Sequence, residues 1–254
     1  MIFHEILETI ENDDLRQFAI DRIENAPPYW HIVPASSSGR YHPQISLGRG
    51  GLVRHTIAVV RFLNYMLEVE SIQNQFTSRE RDLMRIAALC HDMMKSGTQI
   101  DYENNHHTKF NHPVLEANDI RLLYTLPTEE IELIAHCIES HMGQWNTTKR
   151  SNIVLPKPQD KYQIIVHLAD YLASRKDIEI KFENSEIDSA KKSIEDYNDI
   201  NPTTWIMDFG KYKGQSLGEI EALHPDYIRW LQKQEEFNRQ PCKSLLIKMG
   251  YKFE

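Results

Sequence analysis

The sequence has few cysteines, few glycines and prolines, and no long apolar run. Three cysteines in 254 residues, with no CxxC pair, argue against a disulfide framework or a thiolate zinc site. Ten glycines and eleven prolines are too few for a low-complexity chain. No stretch reaches the ~18 apolar residues of a membrane span, and the N-terminal residues lack the pattern of a secretory signal. These absences predict a soluble cytoplasmic protein without a membrane partner.

Positive charge is also in deficit. Lysine and arginine number 29 against 37 aspartates and glutamates, so the formal charge is −8. This balance argues against broad adhesion to nucleic acid, although it leaves room for a local basic patch. The length allows one large core with a small appendage, or two modest domains. Twelve histidines stand out in this composition and direct the search to histidine chemistry.

Apolar residues recur at helical spacing through most of the first 200 residues, which predicts a mainly α fold. The predicted helices cover residues 3–25, 52–69, 79–95 (with Ser78 as the cap), 113–126, 128–142 and 160–175, with a polar helical continuation over 177–200. Between the first two helices lies an irregular segment, residues 29–51, of a length that is often functional.

The pattern changes at residue 201. The segment WIMDFGKYKGQSL is strand-like, and Gly210 and Gly214 indicate a tight turn within it. A helical segment then follows before the chain closes. We therefore expect a helical domain over residues 1–200 and a small α+β domain over residues 201–254.

Several imidazoles and carboxylates fall on or beside apolar helix faces. They are His55, His91, Asp92 and Asp170. An inward-facing charged group is costly unless it is paired or bound to a metal. Imidazole and carboxylate without thiolate suit Mn, Fe, Co, Ni or Zn, with Mg where oxygens dominate. His112 and His141 lie at helix ends and can complete a second metal position, and two ions can hold a bridging hydroxide that attacks phosphorus.

Five motifs carry these residues in the order H…HD…H…H…D. They are GGLVRHT, ALCHDMMKSG, NHPVLEA, IESHMG and HLADYLASRKD. Together they resemble the HD superfamily of metal-dependent phosphohydrolases, most closely its 3′–5′ exoribonuclease (CMP-binding factor) branch. The resemblance implies an HD-type helical bundle in which His55, His91, Asp92 and Asp170 bind one divalent metal, while His112 and His141 extend the site to a second.

The sequence departs from the superfamily pattern at two positions. Arg54 stands where many relatives have an acidic residue, and Met142 follows His141 where many have a second histidine. The missing imidazole leaves open whether one or two ions bind.

The same resemblance suggests which residues act on the substrate. Asp92 and Lys95 are the predicted catalytic residues, and Lys95 would neutralise phosphate charge as a point cation. Its alternative role is that of a lysine near a helix C-terminus. His42, Arg54 and Lys109 lie in or near the loops beside the motifs and are predicted to bind substrate. For the two cations, an ordinary solvated surface position stays the alternative.

The last 54 residues resemble the C-terminal domain of exodeoxyribonuclease X. The matching segments are MDFGKYKG and HPDYIRWL. Lys211, Tyr212 and Lys213 can contact a nucleic-acid strand through phosphate contacts and stacking. A small packing or dimerisation module is an equally open interpretation.

The sequence thus predicts a metal-dependent phosphohydrolase or phosphodiesterase acting on nucleotides or single-stranded nucleic-acid ends. One alternative keeps the fold but hydrolyses dNTPs or another small nucleotide. Another is a non-catalytic nucleotide sensor whose tail binds a partner, and a third is a structural metal protein. The oligomeric state, the native metal and the substrate stay open.

Overall fold

A computed structural model describes residues 3–36, 39, 42–123, 125–178, 201–207, 209–234 and 242–253. These residues contain twelve α-helices, which confirms the mainly α fold. The first nine are α1 (His4–Glu8), α2 (Asp13–Asn25), α3 (Gly51–Leu67), α4 (Glu70–Gln73), α5 (Ser78–Cys90), α6 (Gln99–Asn104), α7 (His112–Arg121), α8 (Thr128–Ser140) and α9 (Lys161–Ala173). The last three are α10 (Leu217–Leu223), α11 (Pro225–Gln232) and α12 (Cys242–Lys248). The helix predicted over 177–200 lies, except for its first two residues, outside the described residues.

Helix α3 lies at the centre of the larger apolar core. It packs against α5 and α9, while α8 packs against α5, α7 and α9. Leu52, Val59 and Leu63 of α3 are wholly buried. Buried residues occur on all faces of α3, as is typical of a helix inside a bundle. Cys90 and Cys137 are buried in the same core.

The single helix predicted over residues 3–25 is wrong, because the chain breaks between α1 and α2. The backbone N–H groups of Glu11 and Asn12 donate to the carboxylate of Asp82 at 3.0 and 2.9 Å. Asp82 is buried and also pairs with Arg85 at 2.7 Å. At this break, backbone N–H groups outside the helices satisfy the buried carboxylate of Asp82. The spacing of apolar residues is a local pattern and does not reveal such a long-range contact.

Helix α5 begins and ends differently from the prediction. Its cap is Thr77, not Ser78, and Thr77 forms a capping box with Glu80. The helix ends at Cys90 rather than near residue 95, and the next residues form successive turns. His91 and Asp92 therefore lie just beyond the helix end.

The described residues of the irregular segment before α3 are packed. The segment contains short 3-10 helices at Pro28–His31 and Gln44–Ser46. A side chain at Gly51 would place its Cβ 2.3 Å from the carbonyl oxygen of Ser46, so only glycine allows this approach. The segment thereby closes over the N-terminus of α3, where His55 lies.

The C-terminal residues have their own apolar cluster. It consists of Met207, Leu217, Ile220, Ile228, Leu231, Cys242, Leu245 and Leu246. Within the described part of this module, β pairing is limited to one isolated bridge between Ile206 and Ser216. The α+β prediction is therefore not confirmed, because the strand-like segment forms a turn in which the Gly214 N–H donates to the Met207 carbonyl at 2.8 Å.

In the described residues, α-helices of sufficient length and hydrophobicity to cross a membrane are absent.

Candidate metal centre

Six of the predicted residues converge where five segments of the bundle meet. His55 is on the first turns of α3, Asp170 is on α9, and His112 begins α7. His91 and Asp92 directly follow α5, and His141 directly follows α8. They form two groups with ligand atoms within 4.8 Å of one another. The first triad is His55, His91 and Asp170, and the second triad is Asp92, His112 and His141.

The second triad has the spacing of ligands around one ion. His112 Nε2 lies 2.9 Å from Asp92 Oδ1 and 3.4 Å from His141 Nε2. His141 Nε2 lies 3.7 Å from the same Asp92 oxygen. Neighbouring ligands held at ~2.1 Å from one ion are ~3.0–3.4 Å apart in octahedral or tetrahedral geometry. The three atoms therefore surround a position that suits a single divalent metal.

Both imidazoles of the second triad are oriented by the backbone. His112 Nδ1 lies 2.7 Å from the Lys109 carbonyl, and His141 Nδ1 lies 2.8 Å from the Ile138 carbonyl. Because a carbonyl only accepts hydrogen bonds, each neutral ring carries its proton on Nδ1 and presents the lone pair of Nε2 to Asp92. Such a second contact fixes the tautomer and direction of a metal-binding histidine.

The first triad is more open. His55 Nε2 lies 3.0 Å from Asp170 Oδ1, and His91 Nε2 lies 3.8 Å from the same oxygen. The Asp170 side chain is 19% exposed, whereas that of Asp92 in the second triad is 3% exposed. His91 Nδ1 contacts the Ala88 carbonyl at 2.7 Å. Solvent therefore reaches the centre from the side of Asp170.

Asp92 joins the two triads. Its Oδ1 faces His112 and His141, while its Oδ2 lies 3.5 Å from His91 Nε2 and also accepts a hydrogen bond from the Lys95 ammonium. Among the described residues, the buried His91 Nε2 and Asp92 Oδ1 have no hydrogen-bond partner. Buried polar atoms are nearly always satisfied. A divalent cation in the first triad would satisfy His91 Nε2, and one in the second would satisfy Asp92 Oδ1, so the residues fit the metal that their types predict.

The carboxylates of the centre are held in their charged forms. Burial raises the pKa of Asp92, but the positive charges of Lys95 and His91 bring it well below its usual range. Burial likewise opposes ionisation of Asp170, yet the hydrogen bond from His55 and the charge of His91 lower its pKa overall. Ionised carboxylates are the form that binds metal.

The imidazoles respond in opposite directions. Burial lowers the pKa of His91, but the Asp92 and Asp170 carboxylates raise it by more, so the net shift is upward. Burial and the neighbouring charge of His91 lower the pKa of His141 to about 3. His141 is therefore held in the neutral form that binds a cation.

Tyr29 supports the turn that carries Asp92 and Lys95, and the sequence did not reveal it. Its buried hydroxyl donates to the Gly97 carbonyl at 2.6 Å and accepts from the Ser96 N–H at 3.1 Å. It connects the irregular segment to the end of the HD-containing turn. No local pattern around Tyr29 indicates a contact 68 residues away.

A second missed contact involves His167 and Gly143. His167 Nδ1 lies 2.6 Å from the carbonyl oxygen of His141. Gly143 has φ of +53°, and a Cβ there would lie 2.1 Å from the His167 ring. Two features therefore require glycine at position 143 of the SHMG motif. Its backbone is left-handed, and the His167 ring leaves no room for a Cβ.

The predicted substrate-binding residues have different surroundings. His42 packs edge-to-face on His55, with ring centroids 5.1 Å apart. Arg54 is buried and donates to the carbonyls of Ile45 and Leu47 at 2.6 and 2.9 Å. The Lys109 ammonium pairs with Asp101 at 2.7 Å. The structure thus brings His42 beside the first triad, while the charges of Arg54 and Lys109 are engaged within the chain, and their contact with substrate stays a prediction.

Comparison with protein families identifies this part of the chain. Residues 52–175 match the family model of the HD domain. The chain contains an HD domain. The matched range includes both triads and Lys95, and HD domains belong to metal-dependent phosphohydrolases. Residues 207–236 match the exodeoxyribonuclease X-like C-terminal model. Searches of curated proteins and of solved structures return no match.

Proposed function

We propose that this HD-domain protein hydrolyses phosphoesters of nucleotides or of single-stranded nucleic-acid ends, using two divalent ions. The observation that carries the proposal is the position of Asp92, whose two carboxylate oxygens face different triads. A carboxylate shared in this way suits a pair of ions separated by ~3.5–4 Å. Such a pair supplies an activated water and charge stabilisation for displacement at phosphorus.

The protein side chains have separate roles in this proposal. The imidazoles of His112 and His141 hold their lone pairs toward Asp92, while Lys95 keeps its ammonium on Asp92 Oδ2. Lys95 thereby keeps the carboxylate ionised and adds positive charge near the approaching phosphate. His42 and the exposed edge of Asp170 border the side from which substrate enters.

The test is hydrolysis by the full chain loaded with Mn²⁺, Ni²⁺ or Zn²⁺. The substrates are mononucleotides, dNTPs, cyclic dinucleotides and single-stranded DNA and RNA. We expect the release of phosphate or mononucleotides and a loss of at least about 100-fold in Asp92→Asn, since even indirect disturbance of a metal ligand costs 10- to 100-fold. His136→Ala is the matched control, because His136 is half exposed and pairs with Glu132 outside the triads.

Three results would contradict the proposal. Turnover unchanged in Asp92→Asn would remove the shared carboxylate from the reaction. Tight nucleotide binding without product from any substrate would favour the sensor alternative. Chelation that unfolds the chain, while nucleotides leave its melting temperature unchanged, would favour a structural metal protein.

The C-terminal module supports nucleic-acid ends over free nucleotides. Tyr212 stacks on His224 with ring centroids 4.2 Å apart, and Tyr227 stacks on Trp230 at 5.5 Å. Trp230 is 52% exposed, and the Lys211 ammonium lies 5.2 Å from the Tyr212 ring centroid. Exposed rings beside a cation are the elements with which proteins hold single strands.

Trp230→Ala tests this refinement. We expect weaker binding of oligonucleotides, by about 5- to 150-fold for one lost stacking contact, with mononucleotide hydrolysis unchanged. Equal oligonucleotide affinity in the variant would contradict this refinement and favour a packing or dimerisation role for the module. Sedimentation of the same variant would then show whether dimerisation has changed.

A further inference from the structure

An aromatic pair lies close in sequence to both triads and is not explained by metal binding. Trp145 and Tyr171 are stacked, with ring centroids 5.7 Å apart and planes 15° from parallel. Tyr171 directly follows Asp170 of the first triad, and Trp145 comes four residues after His141 of the second. Consecutive Cα atoms are ~3.8 Å apart, so Tyr171 is held next to Asp170. On the other side, the Tyr171 ring centroid lies 6.5 Å from that of His167, whose Nδ1 lies 2.6 Å from the His141 carbonyl oxygen.

The segment that carries Trp145 is held at both ends. At its start, Gly143 packs against His167, which contacts the His141 carbonyl. At its end, the Asn146 side chain donates to the Leu155 carbonyl at 3.0 Å, and the Leu155 N–H donates to the Asn146 carbonyl at 2.9 Å. The backbone that carries Trp145 is therefore held in place on both sides, and yet this residue is 43% exposed.

Positive charge accompanies the rings. The guanidinium carbon of Arg175 lies 4.6 Å from the Tyr171 ring centroid and 5.8 Å from that of Trp145. Lys149 and Arg150 are exposed in the loop that follows. An exposed indole can stack on a nucleobase, and cations beside it can attract the attached phosphate. The surroundings of Trp145 therefore suit a nucleotide.

We propose that Trp145, supported by Tyr171, is a stacking platform for the nucleobase of the substrate whose phosphate lies at the two triads. This inference rests on the proposed function and narrows its substrate class to phosphoesters that carry a base. It makes Trp145 a specificity-determining residue: the metal centre would hold the phosphate, while the platform would distinguish a nucleotide from a plain sugar phosphate.

The test compares two ligands that differ only in the base. Calorimetric titrations of the Mn²⁺-loaded full chain would use AMP and ribose 5-phosphate, with ligand integrity checked by chromatography. We expect AMP to bind about 5- to 150-fold more tightly than ribose 5-phosphate. Trp145→Ala should reduce AMP affinity to that of ribose 5-phosphate and leave ribose 5-phosphate affinity unchanged. Trp145→Phe should retain part of the difference. Tyr65→Ala, at an exposed aromatic residue of α3 outside the site, should retain all of it.

The outcomes separate this inference from the function on which it rests. If ribose 5-phosphate binds in a Mn²⁺-dependent manner and AMP binds no more tightly, the platform is overturned and the metal centre stands. If neither ligand binds, the platform is overturned, and hydrolysis of the full substrate panel decides the proposed function separately. If Trp145→Ala keeps its AMP affinity but alters the sedimentation coefficient, the patch is an interface between copies of the chain, which also overturns the inference.

Discussion

The two triads of the HD domain are built from the same ligand types but differ in order and exposure. In the second triad both imidazoles are fixed by backbone carbonyls, and the side chains of Asp92, His112 and His141 are at most 3% exposed. In the first triad, His55 Nδ1 is buried without a hydrogen-bond partner among the described residues, and Asp170 is 19% exposed. One half of the centre is thus preorganised for an ion, while the other half has one less constrained imidazole and a partly exposed carboxylate.

This difference suggests a division of labour. A site whose ligands are already oriented loses less conformational entropy on binding and should hold its ion more tightly. A site open on one side can admit both water and a phosphate. In the proposed two-ion centre, Asp92 would couple a retained ion in the second triad to a more exchangeable one in the first.

The largest predicted effect separates the two triads by metal titration. Wild-type protein should bind Mn²⁺ in two steps. His112→Gln should weaken the tighter step by at least about 100-fold, since it removes a direct ligand. Asp170→Asn should weaken the looser step and leave the tighter one unchanged. Calorimetry of chelator-treated protein measures both, and equal losses of both steps in the two variants would contradict the division.

The next effect concerns the Gly143 turn behind the second triad. Gly143→Ala should lower the free energy of unfolding by about 1 kcal/mol for the left-handed backbone and by about 1–3 kcal/mol more for the clash with His167. Gly48→Ala is the matched control, because Gly48 has φ of +66° and a Cβ added there would meet no atom within 4 Å. Urea denaturation measures both, and equal losses would show that the His167 contact has no energetic role.

A smaller effect is expected at Tyr29, which supports the turn shared by both triads. Tyr29→Phe leaves the Ser96 N–H and Gly97 carbonyl without their buried partner, at a cost of about 1–3 kcal/mol. Since this turn carries Asp92, both metal-binding steps should weaken together, unlike in the triad variants. Tyr65→Phe is the control because Tyr65 is 56% exposed. Weakening of one step alone would contradict a shared support.

The smallest effect is a pH dependence behind the second triad. Glu116 lies one turn after His112, and burial raises its pKa to about 7, although the nearby charge of Arg22 opposes this shift. The folded state therefore holds more protons than the unfolded state between about pH 4.5 and 7. The contribution of Glu116 to the free energy of unfolding therefore decreases as the pH rises through that window.

Glu116→Gln tests this sign, because glutamine does not titrate. Urea denaturation of metal-free protein at pH 5 and pH 7 should show the wild type losing more stability than the variant as the pH rises. A parallel loss in both proteins would contradict the raised pKa of Glu116.

The sequence was informative where ligands recur in ordered motifs. The spacing of His55, His91 and Asp170 on apolar faces indicated that the helices would bring them together, and they lie within one centre. The main helices of the bundle were predicted for the same reason, because a period of 3.6 is a local property of the chain.

Contacts between distant segments were not predictable in this way. The break before α2 depends on Asp82, and the turn after α5 depends on Tyr29, both about 70 residues away in sequence. The strand-like composition around Gly210 is compatible with a turn that packs on helices, so β propensity alone misled the prediction of the C-terminal fold.

The central claim is that Asp92 is shared by two ions. An anomalous-scattering map from crystals grown with Mn²⁺ tests it most directly. We expect two peaks ~3.5–4 Å apart, each within ~2.0–2.2 Å of an Asp92 oxygen, one among the ligands of each triad. A single peak, or two peaks of which only one contacts Asp92, would contradict the account.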